Sequence, residues 1–284
     1  MLLSIITINY NNAAGLEKTL RSVAAQSCKD FEHVIVDGGS TDGSVAAIQE
    51  YVGNQRQTIK WVSEKDSGIY NAMNKGIRMA TGDYIQILNS GDCLASADVV
   101  ERMLKALEAN GFPEILYGNM IKVWPDGHRV NDRCGGKAGK AVLKAEPTSL
   151  TMLSFYHGTL NHDSAYIKRS LFDRFGLYDE QLKIVSDWKW YLKAIPLGGV
   201  VPYYVDIDVT LFDMTGVSES NPEFWKVERR PVLEAEVPAM ILKDYDCYHE
   251  AMGVYDRLKR HHLWKGVRFV ERVLFKLEKW GVLK

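Results

Sequence analysis

The chain lacks a surplus of charge, paired cysteines and any long apolar run. Formal net charge is −1 over 284 residues, which excludes the broad basic footprint that nucleic acid requires. The cysteines, Cys28, Cys93, Cys134 and Cys247, are widely separated and form no CxxC pair. They propose neither a zinc site nor a disulfide framework, so a reducing cytoplasm is expected. No apolar stretch is long enough to span a bilayer. The opening "MLLSIITINYNN" has no basic lead and no cleavage site, and reads as a first strand rather than a leader. Internal repeats and low-complexity tracts are absent.

What is present is alternation. "LLSIITIN" is a continuous apolar strand of the kind buried on both faces. Asn11 or Asn12 then caps a helix with Leu16, Leu20 and Val23 inward. "FEHVIVDGG" is a second strand, followed by a helix capped by Thr41 or Asp42 with Val45, Ile48 and Val52 inward. "TIKWVSE" is a third strand. A helix starting at Ser67 places Ile69, Ala72, Met73, Gly76, Ile77 and Ala80 on one face. "DYIQIL" is a fourth strand, and Val99 to Leu107 is helical. Such alternation predicts parallel pairing through right-handed crossovers, with ligands at the carboxyl ends of the strands. Three acids fall at such ends: Asp37, Asp66 and Asp92.

Beyond residue 110, "EILYGNMIKVW" reads as a strand and "PDGHRVNDRCGGKAGK" as a loop. "IVSDWKWYLKAI" carries a helix whose face is Trp188, Tyr191, Leu192 and Ile195, with Ser186 or Asp187 as cap. "VPYYVDIDVTLF" is strand-like, and after Asn221 the chain turns helical and aromatic. The expected organisation is a catalytic domain over residues 1–218 and a helical extension over 219–284.

The segments "SIITINYNN", "VIVDGGSTDGS", "SEKDSGIYNAMNKGI", "GDYIQILNSGD" and "IVSDWKWYLKAI" together resemble family 2 glycosyltransferases of the GT-A fold. More narrowly, they resemble bacterial enzymes that build capsule, exopolysaccharide and O-antigen units. The likeness covers roughly residues 1 to 218 in five ordered motifs, far more specific than a lone glycine loop. It implies an α/β, Rossmann-like domain whose mostly parallel central sheet is flanked by helices. It also implies inverting transfer of a sugar from a nucleotide-sugar to a hydroxyl of a glycan or lipid-linked acceptor, in the cytoplasm or at the inner face of its membrane.

The residues make chemical sense beside that resemblance. A base needs a flat apolar surface and a polar reader. Tyr10 can stack, and Asp37 can accept from a pyrimidine imide N–H; matching family positions act this way, which favours uridine. Core packing for Tyr10 and turn formation for Asp37 are the plainer readings. Asp66 either caps the next helix or, as in the family, approaches base or ribose. Asn71 departs from the family's frequent Asp and receives no role. Lys75 either neutralises Asp66 or is solvated.

A departing nucleoside diphosphate needs a divalent cation or fixed cationic donors. The family often places Asp-x-Asp after the fourth strand. Here Asn89 and Gly91 replace both acids, and only Asp92 keeps a charge. Asn89 can still bind ribose or a hard cation through its amide oxygen. Asp92 is the expected ligand of a weak Mg2+ or Mn2+ site completed by the diphosphate; the alternative is a turn with Asp92 capping a helix. Asp187 matches the family's base and, at a helix N-terminus, stays ionised; capping alone is the alternative. His162 resembles a family histidine near the acceptor. "DMTGVSES" resembles a loop over the diphosphate, with Thr215 and Ser218 as donors.

Other classes remain open on the sequence. Transfer onto polyprenyl phosphate is one, and a degenerate protein that binds without turnover is another. A sugar-phosphate nucleotidyltransferase shares the alternation, but its Gly-rich loop with Arg and downstream Pro-Lys is missing. Finally, "LWKGVRFVERVLFKLEKWGVLK" is a basic amphipathic helix. It suits peripheral contact with an anionic membrane, or packing on the catalytic domain or a second subunit as in a homodimer.

Overall fold

β1 (Leu3–Asn9) and β2 (Phe31–Asp37) are each buried along their whole length, as strands covered on both faces must be. The computed structural model describes residues 2–55, 57–124, 127, 129–132, 150–216, 222–261 and 263–279. β1 pairs in parallel with β2, and β2 with β3 (Ile59–Ser63). β4 (Tyr84–Ile87) joins the opposite edge of β1, also in parallel. The order β3-β2-β1-β4 therefore reverses direction between β1 and β4. That reversal opens a crevice at the carboxyl ends of these two strands.

The intervening helices are those the apolar spacing predicts. α1 (Ala13–Ala24) is capped by Asn12, whose side chain accepts from Gly15 N at 3.1 Å. α2 (Ser44–Asn54) follows Gly43 rather than a side-chain cap, and buries Ile48 and Tyr51. Asp42 accepts from Ser44 N at 3.2 Å and from Ala13 N at 2.8 Å, so it links the starts of α1 and α2. Leu16 and Leu20 meet Ile35, Ile48 and Tyr51 in one core cluster. α3 (Ile69–Met79) lies close against β1: a Cβ on Gly76 would sit 2.4 Å from Ile6 Cγ2.

The rest of the sheet follows no simple alternation. β5 (Cys93–Leu94) and α4 (Val99–Ala109) come next, the latter burying Val99, Val100, Met103 and Leu107. β6 (Ile115–Val123) confirms the expected strand, but part of the expected loop is β7 (Arg129–Asp132), hairpinned onto it. α5 (Met152–His157) leads to a 3₁₀ turn (His162–Ser164) and β8 (Ala165–Lys168). β8 inserts antiparallel between β4 and β6. α6 (Ser170–Phe175) and α7 (Ser186–Ala194) precede β9 (Tyr203–Asp213), which runs parallel to β6 and antiparallel to β5.

The chain divides into Met1–Val232 and Leu233–Lys284. The expected boundary at residue 218 lies outside the described residues, as does Ser218. The first unit takes in the start of α8 (Pro222–Glu236), where Arg229 stacks between the rings of Trp188 and Trp225, 4.1 Å from each centroid. The second unit contains α9 (Ala239–Arg260) and α10 (Trp264–Lys279). Among the described residues, no helix is long and apolar enough to cross a membrane.

Candidate active site

The crevice between β1 and β4 is floored by three loops tied to one another. Asn9 at the end of β1 accepts from Ser90 Oγ at 2.8 Å, and Asn12 Nδ2 donates to Ser90 O at 3.3 Å. Thr19 on α1 donates to Asp92 O at 2.7 Å and accepts from Gly91 N at 3.0 Å. Asn11, with φ of 47°, accepts from Thr41 N at 2.9 Å. Tyr10 emerges from this frame 68% exposed, a free flat face at the mouth. A Cβ on Gly38 would lie 3.1 Å from both Tyr10 Cδ2 and Asp66 Oδ2, so glycine there lets ring and carboxylate close on one spot.

Asp37 does more than form the turn that the sequence suggests. Its Oδ1 accepts from Asn9 Nδ2 at 2.8 Å and Ser40 Oγ at 2.6 Å, and its Oδ2 from Ser40 N at 2.9 Å and Ser63 Oγ at 2.7 Å. The residue has no exposed surface. Burial alone would raise its pKa; the donated hydrogen bonds hold it below the usual carboxylate value. Asp37 thus fastens the ends of β1, β2 and β3, and direct base reading would require one of those donors to leave. Asp66 does not cap α3, whose start at Gly68 has no side-chain cap. It pairs with Lys75 at 2.7 Å, which also meets Glu64 at 2.7 Å. Asn71 donates to Glu180 at 2.8 Å. The family's frequent Asp at that position would face a carboxylate here.

On the other side of the crevice stands Asp187, in the first turn of α7; the cap position is Val185, with no side-chain bond. Its Oδ1 accepts from Tyr70 Oη at 2.9 Å and its Oδ2 from His162 Nδ1 at 3.1 Å. Burial pushes its pKa up, but His162 and Tyr70 bring the net value below normal, so it is ionised at neutral pH. Burial would discharge His162, yet Asp163, Asp187 and Asp92 around it push its pKa up to about 9. It is therefore an imidazolium at neutral pH, donating from both ring nitrogens. Its Nε2 lies 3.1 Å from Asn89 Nδ2, while Asn89 Oδ1 is buried with no hydrogen-bond partner. Half a turn of the amide gives that oxygen to Nε2 and satisfies both groups.

Asp92 is buried at the junction of β5 and β9, and its Oδ1 accepts from Asp213 N at 2.8 Å. Burial first, and the charge of Asp163 second, drive its pKa well above normal. Asp163 Oδ1 is 3.2 Å from His162 Nε2 but is not aligned for a hydrogen bond. Its pKa is likewise raised, chiefly by burial. Burial and mutual repulsion thus favour the protonated forms of Asp92 and Asp163, and a cation placed beside them would favour the ionised forms. Among the described residues, however, no three acids or histidines are arranged to hold one. The residues fit a divalent ion only if diphosphate oxygens and water complete its shell. Asp213 accepts from Thr215 N at 2.9 Å and Oγ1 at 2.7 Å, and Lys18 lies 4.0 Å from its other oxygen.

Sequence reasoning named Asp187, His162, Asn89 and Asp92, and the structure brings them together. It noted Asp163 beside His162 without giving it a role, and it missed Tyr70 and Asp213. An acid beside His162, and another closing "VTLFD" before Thr-Gly, were the available signals.

The family model described as glycosyl transferase family 2 matches residues 4–148. The chain belongs to that family. This transferase is 32% identical over 239 residues to an uncharacterised glycosyltransferase of Mycobacterium tuberculosis, covering 83% of this chain and 85% of that protein. It is 29% identical over 213 residues to a PGL/p-HBAD biosynthesis glycosyltransferase of Mycobacterium bovis, covering 75% and 77%. Among solved structures it is similar to S. aureus TarS 1-349 in complex with UDP, with a TM-score of 0.61, 20% identity and coverage of 84% of this chain and 67% of that one. It is also similar to the mannosyltransferase PcManGT of Pyrobaculum calidifontis in complex with GDP-Man and Mn2+, with a TM-score of 0.56, 20% identity and coverage of 74% and 56%. The glycosyltransferase therefore has the expected GT-A fold, with four of the five motifs in its parallel half and the fifth on α7.

Proposed function

We propose that this glycosyltransferase moves a sugar from a uridine diphosphate sugar to a hydroxyl of a glycan or lipid-linked acceptor, with inversion, in surface polysaccharide assembly. The observation that carries the reading is Asp187, held ionised by Tyr70 and His162 in one cluster with Asn89. Tyr10 offers a stacking face for the base, and Asp66 beside it the polar reader. Asp37 fixes the strand ends beneath them. Asn89 stands at the bottom of the crevice, within reach of ribose or diphosphate.

The acceptor hydroxyl loses its proton to Asp187 as the new bond forms. The transition state is oxocarbenium-like, so proton removal is late and a weak carboxylate base suffices. His162, positively charged, keeps Asp187 oriented and ionised. A magnesium or manganese ion bound through Asp92 would supply charge stabilisation to the leaving diphosphate. Thr215 and Ser218 are the proposed donors of a loop over that diphosphate.

The replacement of two family acids by Asn89 and Gly91 gives a second reading some footing: binding without turnover. One assay separates them. The protein is incubated with a panel of UDP-sugars and GDP-mannose, with and without manganese, and free nucleoside diphosphate is measured. Release from UDP-sugars, abolished in Asp187→Asn, supports transfer. Tight binding with no release from any donor, even with glycan, polyprenyl-phosphate and lipid-linked acceptors present, supports the second reading. A preference for GDP-mannose overturns the uridine assignment.

A further inference from the structure

The second unit carries an amphipathic element to which the proposed reaction assigns no role. On α10, at about 100° per residue, Val267, Val270, Val273 and Leu274 fall within an arc about 120° wide. Lys265, Arg268, Arg272, Lys276 and Lys279 fall within a second arc on the opposite side, against Glu271 and Glu278 as the only acids of the helix. Phe269 occupies one border between these arcs, and Phe275 shares the other with Glu271 and Glu278. The apolar arc is uncovered: Val270 is 54% and Leu274 44% exposed, and the border rings Phe269 and Phe275 are 68% and 66% exposed.

We propose that α10 is a docking surface for an anionic lipid bilayer, lying in the plane of its headgroups. The charge distribution selects this occupant. A partner docked on the apolar arc alone would leave the basic arc in water. The same holds for a second copy of the chain. A bilayer surface takes all three zones at once: valines and leucine into the acyl boundary, aromatic borders at the interface, and lysine and arginine stems reaching up to phosphates. The helix is too polar to span, which is consistent with lying flat. Five cations against two acids make the attraction selective for anionic lipid. The inference holds whatever sugar and acceptor the enzyme uses, so it stands or falls apart from the reading of the crevice.

The test uses the full chain, with vesicles of phosphatidylcholine alone or mixed with phosphatidylglycerol, and co-sedimentation as readout. The native protein is expected to pellet with anionic vesicles, stay in solution with neutral ones, and be released as salt is raised. Arg268→Gln/Arg272→Gln, which keeps helix propensity and the apolar arc, is expected to weaken partitioning by about thirtyfold, from about a factor of five per basic residue removed. Leu274→Asp is expected to abolish it. Circular dichroism and melting temperature confirm that each variant remains folded. The proposal is overturned if the native chain stays in solution with both vesicle types at low salt. Equal binding to neutral and anionic vesicles overturns it too, as does native-like binding by the variants. So does a lipid-free dimer, seen by sedimentation velocity, that Leu274→Asp converts to monomer; the arc would then belong to a second copy.

Discussion

The Tyr70 hydroxyl donates to Asp187 Oδ1 at 2.9 Å across 117 residues of chain, while His162 holds the other carboxylate oxygen. Asp187 is thus fixed from two sides by elements far apart in sequence. Replacing it with Asn keeps the shape and removes the basicity. We expect Asp187→Asn to bind donor normally and to lose on the order of 10²–10⁴-fold in transfer rate. Tyr70→Phe removes one donor and raises the carboxylate's pKa, so the acid limb of its pH–rate profile should move to higher pH. An unmoved limb would remove Tyr70 from the orientation of Asp187.

His162 links stability to pH. Its folded pKa is raised from the ordinary histidine value of 6.5 to about 9 by the acids around it. The stabilisation is therefore complete below about pH 6.5 and is lost as pH rises through 9. Urea midpoints of the native protein should fall over this window, and those of His162→Gln should fall less. Parallel curves for the two proteins would mean that the imidazolium is not paired in the folded state.

Asp37 and Asp66 should separate on replacement. Asp37→Ala removes the acceptor of Ser40 N and Ser63 Oγ and leaves buried Asn9 Nδ2 only its 3.3 Å bond to Ser40 Oγ, and a buried group left without a partner costs about 1–3 kcal/mol. Its main effect should be a lower melting temperature. Asp66→Asn leaves the strand ends intact and should weaken or broaden nucleotide binding with little change in melting. The reverse pattern would restore Asp37 as the base reader.

Manganese should tighten nucleoside diphosphate binding in the native protein and not in Asp92→Asn. Titration calorimetry with and without EDTA reads this directly. If EDTA changes neither affinity nor transfer, the leaving charge falls to cationic side chains, with Lys18 beside Asp213 as the first candidate.

Gly76→Ala would ordinarily favour a helix by about 1 kcal/mol. Here the added methyl meets Ile6 Cγ2, and overpacking of this kind costs about 1–3 kcal/mol. We expect net destabilisation, smaller than additive when combined with Ile6→Ala, which removes the opposing atom. Additive losses in the double mutant would dissolve the assumed contact.

The parallel half was legible because each strand is a continuous apolar run and each helix has a clean apolar face; β1, α1, β2 and β4 follow directly. β8 was not legible. Its four residues insert between β4 and β6 through long-range pairing that local pattern does not encode. The same holds within the site. Asp92 and Asp187 stood out as acids at element ends. Tyr70 reads as one more apolar residue of α3, and only the tertiary fold turns its hydroxyl to Asp187. Capping explained less than expected: Asp66 pairs with Lys75, and Asp187 lies inside its helix.

Gly91 gives the loop a one-way character. Its φ is 108°, and the space beside its Cα opens toward Asp213 Cβ and Oδ2, each 3.7 Å from where a Cβ would stand. An acid restored at position 91 would meet a backbone that L-residues rarely adopt, at about 1–3 kcal/mol, and would face a carboxylate already in place. Turning this loop into the two-acid form therefore takes more than one substitution: backbone and Asp213 would have to change together.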